Sequence, residues 1–197
     1  MLTVIQADSS RRATLEAMFA PAHPQWILPG DPLPPADVYV GLDGPFPTHY
    51  EQTSAVFLND VLHARGESDS AAVVRFNGWP GCIEGPLWEC AGNLLDEHRQ
   101  WANVIGKTLR EVPDVPGFIS ARVISAIINE AYFALGDGIS TPEEIDTAMQ
   151  LGTNYPQGPF AWAKAIGIKE VFQLLNKLSS THPRYTPAPA LAFIAQS

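Results

Sequence analysis

The sequence predicts a small α/β unit followed by an all-helical one. Three observations carry this. Short runs of β-branched and apolar residues recur through the first half, at 2–5, 25–28, 36–42, 54–60, 71–76 and 86–92. Runs that stay apolar on both faces are what a parallel sheet requires. The second half drops these runs for longer segments with helical periodicity, and Pro113, Pro116 and Gly117 break the pattern between them. That places the boundary at 113/114.

The elements follow in order. Strand 2–5 leads into a helix at 11–20, with Leu15, Met18 and Phe19 on one side, stopped by Pro21. Strand 25–28 ends in Pro29-Gly30-Asp31, and four further strands follow. Proline is dense from Pro21 to Pro47, so the connections there read as tight loops rather than helical crossovers. The α/β unit is therefore trimmed. Residues 93–106 read as a helix, with Leu94, Leu95, Trp101 and Ile105 apolar. Helix 119–135 is apolar nearly all round, which suits a core or a subunit interface. The next helix has Thr141 as N-cap, Pro142 at its first position, Glu144 as the return half of a capping box, and Gly152 as its stop. Helices over 159–167 and 168–180 complete the reading.

Composition narrows the function. Of 197 residues, 46% are hydrophobic and 17% charged, a globular balance, and the net charge of −9 offers no basic face for nucleic acid. Neither a membrane span nor a leader segment is read. Cys82 and Cys90 make neither a disulfide framework nor a zinc site, so a cytoplasmic setting is expected. His49, His63, His98 and His182 lack metal-ligand spacing, and no metal is expected. Trp79 and Trp88 read as core or rim aromatics. Arg75, a charge inside an apolar strand, reads as a strand-end arginine reaching solvent, or as one facing an anionic ligand.

Residues 114–168 carry Pro116-Gly117-Phe118-Ile119, Arg122, Asn129-Glu130-Ala131, Ile145-Asp146, Ala148-Met149, Leu151-Gly152 and Pro156 to Phe160. In these residues the chain strongly resembles the C-terminal helical domain of 3-hydroxyacyl-CoA dehydrogenases. The first half resembles the same family weakly. Residues 4–20 stand at its first βα turn, 74–78 at its His-Phe-Phe-Asn-Pro, and 86–92 at its Leu-Val-Glu-Val strand. The resemblance implies a Rossmann-like, NAD-binding-type domain over 1–113. It implies a helical domain of the 6-phosphogluconate dehydrogenase C-terminal type over 114–197. It also implies NAD as cofactor, an acyl-CoA-like ligand, and a homodimer formed through the helical domain.

The family's chemistry needs glycines where pyrophosphate meets the first helix, and a histidine to take the hydroxyl proton. The glycine turn is replaced by Gln6-Ala7-Asp8, with Arg11 or Arg12 near the third glycine. Asp8 or Ser9 reads as a helix cap. Asp31 stands where a ribose-binding acid would sit, within a turn sequence. Aligned on the family pattern, Val74 holds the histidine position, Val61 lies near the serine, and Ala121 replaces the asparagine; Glu89 alone is kept. The expectation is a catalytically impaired relative, acting by binding or assembly, that does not bind NAD. Two alternatives stand beside it: an oxidoreductase with a site rebuilt from Glu84, Glu89, Arg75 or His63, and a dimeric scaffold without a ligand.

Overall fold

The computed structural model describes residues 1–47, 49–50, 53–64 and 72–197. Its contacts divide the chain into Met1–Phe118 and Ile119–Ser197. The division lies at 118 rather than the expected 113 because residues 114–118 remain fastened to the sheet. Arg75 Nε donates to Asp114 Oδ1 at 2.7 Å, and the Gly117 N–H donates to the Val61 carbonyl at 2.7 Å.

The first unit is a seven-stranded sheet. Its strands are β1 (Thr3–Gln6), β2 (Gln25–Ile27), β3 (Val38–Gly41), β4 (Ala55–Asn59), β5 (Val73–Phe76), β6 (Leu87–Gly92) and β7 (Thr108–Glu111). They lie in the order β2-β1-β3-β4-β5-β6-β7. Every neighbouring pair is parallel except β5 and β6, where Val74 faces Gly92 and Phe76 faces Cys90. Ala71, expected at the start of β5, lies outside the described residues.

Two α-helices serve this sheet among the described residues, α1 (Ser9–Phe19) and α2 (Asp96–Val104). Both pack on one face, where Leu15 and Phe19 join Phe57, Phe76, Trp88 and Trp101 in one buried cluster. Trp88 stacks on Phe76 with ring centroids 4.6 Å apart, a close aromatic pair that adds to the burial itself. On the other face Val4, Tyr39, Val56, Leu58 and Val73 are covered by Ile27 of β2 and by loop residues Leu33, Phe46 and Tyr50. The proline-rich connections thus replace helices with apolar loop residues laid flat on the strands.

His98 belongs to this scaffold. It is fully buried on α2, 5.0 Å edge-on from the Phe57 ring. Its Nδ1 accepts the Leu95 N–H at 3.2 Å, and its Nε2–H donates to the Ala72 carbonyl at 2.9 Å. Lys107 is also structural: its ammonium donates to the carbonyls of Ile83, Glu84 and Gly85 at 3.0, 2.9 and 2.9 Å.

The second unit contains α3 (Ser120–Gly136), α4 (Pro142–Thr153), α5 (Pro159–Ile166), α6 (Ile168–Ser179) and α7 (Pro189–Gln196). Thr141 caps α4 as its sequence predicts: Thr141 Oγ1 accepts from Glu144 N at 3.3 Å. Gly152 is not the stop. The helix runs on to Thr153 and ends at Asn154, whose φ of 57° makes the left-handed cap. Asp146 on α4 accepts the N–H groups of Phe160 and Ala161 at 2.8 and 3.0 Å, so it caps α5 from outside that helix. A Cβ at Gly158 would collide with this carboxylate. Asn129 clamps the approach to α7, donating to Thr186 O at 2.9 Å and accepting from Ala188 N at 2.7 Å.

Burial lowers the His98 pKa below its ordinary 6.5. A depressed folded-state pKa contributes stability that is fully present above pH 6.5 and lost as pH falls below it. Unfolding free energy should therefore decline from pH 6.5 to pH 5, before the carboxylates titrate. His98→Gln should flatten that decline in urea melts across the range.

Candidate functional site

The carboxyl ends of parallel strands open a crevice where neighbouring connections leave in opposite directions. Here that point lies between β1 and β3, because β2 flanks β1 on one side and β3 on the other. Gln6 ends β1 and is buried with 1% of its surface exposed. Its Nε2 donates to the carbonyls of Asp43 and Pro45 at 2.5 and 2.9 Å, and its Oε1 accepts from the Tyr39 hydroxyl at 2.9 Å. Burial drives the Tyr39 phenol well above its ordinary pKa, so it stays a neutral donor.

Asp8 is the N-cap of α1, its Oδ1 accepting from Arg11 N at 2.7 Å. The Asp8 N–H donates to Asp43 Oδ2 at 3.0 Å, and Arg11 Nη1 pairs with Asp43 Oδ1 at 3.1 Å. Arg11 Nη2 also donates to the Gly78 carbonyl in the β5–β6 connection. Asp43 thus places an internal carboxylate at the start of α1, where a bound anion would otherwise take the backbone and guanidinium donors. A pyrophosphate does not fit this arrangement. Asp43 holds the donors, and the carboxylates of Asp8 and Asp43 would face the phosphates. Arg12 points away, paired with Glu16 at 3.2 Å.

Asp31 closes its own turn: Oδ2 accepts from Leu28 N at 2.9 Å, and its N–H donates to Leu28 O at 3.1 Å. It stands at the rim of a depression of about 420 Å³ lined by Gln6, Leu33, Pro45, Phe46 and His49.

The remaining residues singled out in the sequence do not converge. Val74 is fully buried in the aromatic cluster together with Phe76 and Cys90. Strand alternation and the β5–β6 register put Glu89 on the opposite face, which it shares with Arg75. The carboxylate and the family's histidine position are therefore on different sides of the sheet. Arg75 neither reaches solvent nor awaits a ligand. It is fully buried, with Nη1 donating to Asp60 O at 2.6 Å and Nη2 paired with Asp114 Oδ1 at 2.6 Å. Val61 is buried, and Ala121 is buried in the second unit. Glu84 accepts from Gly81 N at 2.7 Å within its own turn. Trp79 and Trp88 are core residues. Both cysteines are free, and burial pushes the Cys90 thiol up to about 12, which makes it inert at neutral pH. Among the described residues no three His, Cys, Asp or Glu side chains gather as a metal site.

Two features escaped the sequence reading. Asp43 lies more than thirty residues from its partners, and nothing local marks it. The other is Asp60 at the carboxyl end of β4, the partner of the candidate His63. Asp60 Oδ1 accepts from the N–H groups of Leu62 and His63 at 3.1 and 3.0 Å, and lies 3.0 Å from His63 Nδ1. An Asp-x-x-His run just after a strand is the signal for it.

Gln6→Ala should leave the Tyr39 hydroxyl and two loop carbonyls without their partner. A loss of roughly 1–3 kcal/mol in unfolding free energy is expected, and a urea titration measures it.

The profile of the C-terminal domain of 3-hydroxyacyl-CoA dehydrogenase matches residues 117–195. The 3-hydroxyadipyl-CoA dehydrogenase of Escherichia coli K12 is 42% identical over 88 residues, covering 44% of this chain and 18% of that protein. The mitochondrial hydroxyacyl-coenzyme A dehydrogenase of Sus scrofa is 33% identical over 148 residues, covering 71% of this chain and 46% of that protein. The chain thus spans less than half the length of either relative. The crystal structure of (S)-3-hydroxybutyryl-CoA dehydrogenase PaaH1 from Ralstonia eutropha superposes with a TM-score of 0.69 at 22% identity, covering 95% of this chain and 79% of that one. That likeness establishes the fold, a Rossmann-like sheet followed by a helical domain. The profile match, with these relatives, shows that residues 117–195 are a 3-hydroxyacyl-CoA dehydrogenase C-terminal domain.

Proposed function

We propose that this chain is a family member without the dehydrogenase reaction, which acts by binding or by assembly. One observation carries the reading: the Asp43 carboxylate takes the backbone and guanidinium donors at the start of α1 that a dinucleotide's pyrophosphate requires. Val74 adds to it, since a residue sealed in the aromatic cluster offers no proton acceptor to a hydroxyl group. An acyl-CoA-like ligand is the class this reading adopts, and the hydroxyacyl-CoA compounds in the relatives' names support it. The two free thiols suit a reducing compartment, and we place its work in the cytoplasm.

The helical unit is the assembly surface in this reading. Ile128 is buried within α3, whereas Ile124 and Ile127 are half-buried, and Ile119 and Val123 are each 54% exposed. Phe193 on α7 is 76% exposed. Exposed apolar residues grouped on two packed helices favour a second copy of the chain as their cover.

A second reading rests on Asp60–His63. Its carboxylate holds Nδ1 and leaves Nε2 facing outward, an orientation suited to a general base in a rebuilt oxidoreductase site.

Calorimetric titration should give NAD a dissociation constant weaker than roughly 100 μM, about −5.5 kcal/mol. Tighter binding contradicts the first reading. No turnover is expected at 340 nm with 3-hydroxyacyl-CoA substrates, and Val74→His should restore none, because that side chain would lie across the sheet from Glu89. Turnover abolished by His63→Ala would establish the second reading instead. Light scattering should give a dimer at micromolar concentration, and a monomer would remove the assembly surface.

A further inference from the structure

Asp60 and His63 are built into the end of the sheet. β4 is its central strand, with parallel neighbours on both sides, and Asp60 follows the last residue of that strand. The carboxyl ends of such strands are where ligands meet open α/β sheets. Asp60 is fixed through both its side chain and its backbone. Its Oδ1 accepts the Leu62 and His63 N–H groups at 3.1 and 3.0 Å. Its carbonyl accepts from Nη1 of the buried Arg75 at 2.6 Å, and Arg75 is held in turn by Asp114. His63 Nδ1 lies 3.0 and 3.3 Å from the two carboxylate oxygens. The Asp60 side chain is 19% exposed, and that of His63 is 65% exposed. A carboxylate at Nδ1 keeps the ring proton there and leaves the Nε2 lone pair to take another.

We propose that His63, positioned by Asp60, is the general base for hydrolysis of an acyl-CoA thioester. The inference rests on the reading above, in which the chain takes an acyl-CoA-like ligand and holds no nicotinamide. Without a hydride acceptor, the electrophile left in such a ligand is its thioester carbonyl carbon. Hydride transfer is helped by excluding water, whereas hydrolysis consumes water, and the His63 ring stands in it. In the first step Nε2 takes a proton from a water molecule as the water oxygen bonds to the carbonyl carbon. The carbonyl electron pair moves onto its oxygen. That pair then returns and the C–S bond breaks. The sulfur leaves with the electrons of that bond and takes the proton back from Nε2. The products are a free acid and a free thiol, and the imidazole ends as it began. Asp60 touches none of the reacting atoms. It is a positioning residue that orients the ring and steadies the imidazolium between the two proton transfers.

The test uses the full chain with 3-hydroxybutyryl-CoA as the probe. Thiol release is followed with a chromogenic disulfide, and calorimetry measures binding of the same compound separately. The chain should release thiol faster than the compound does alone. His63→Ala should lower kcat about 10²-fold or more, and added imidazole should return part of the rate to His63→Gly. Asp60→Asn should lower kcat about tenfold or more with KM unchanged, since it disturbs the base and not the ligand's contacts. His182→Gln, at an exposed histidine of the second unit, should leave the rate as it is. No thiol release by the unaltered chain overturns the hydrolase. If the probe binds in that case, the ligand reading stands without it; if it does not bind, both fall. Release undiminished in His63→Ala removes the assignment to this residue, and kcat undiminished in Asp60→Asn removes the positioning role.

Discussion

One buried amide organises the edge of the sheet where a ligand crevice would open. Gln6 brings a donor and an acceptor into a place with almost no exposed surface, and every hydrogen bond it makes is internal. An unpaired amide there would cost on the order of 1–3 kcal/mol, so the loop after β3 must lie across the end of β1. That placement sets Asp43 beside α1. Asp43 then holds the Asp8 N–H and Arg11, and Arg11 reaches on to Gly78. Three connections that could have spread around a ligand are tied to one another instead.

The two units are built on different constraints. In the helical unit, residues shared with the family do local structural work. Asp146 caps α5, Gly158 leaves room for that carboxylate, and Asn129 holds the approach to α7. None of these roles depends on chemistry in the first unit, so they persist whatever becomes of it. The first unit has helices on one face of its seven-stranded sheet. On the other face Ile27 and apolar loop residues do the covering, and helices are not needed there for the strands to be buried. The fold and the reaction are separable, as site chemistry is grafted on a scaffold rather than built by it.

Most of the architecture was legible because burial imposes a period. The strands through β6 and the long helices announce themselves as apolar runs. β7 did not, since only Leu109 of its four residues is buried and an edge strand carries little pattern. The α7 segment is apolar at every position but its last, so no helical period stands out. At the site, Gln6 and Asp8 could be read from the sequence as standing where the resemblance implies glycines. What surrounds them could not, because Tyr39 and Asp43 approach only through the sheet. Arg75 was misread for the same reason: its carboxylate partner is thirty-nine residues away, and a charge in a strand says nothing of what will neutralise it.

The start of α1 is held by the chain's own Asp43 carboxylate rather than left open to an anion. A crystal structure grown in millimolar NAD tests it most directly. The account predicts Gln6 on the carbonyls of Asp43 and Pro45, Asp43 on the start of α1, and no dinucleotide beside them. A pyrophosphate bound to the amides at the start of α1, with Gln6 and Asp43 swung aside, would contradict it.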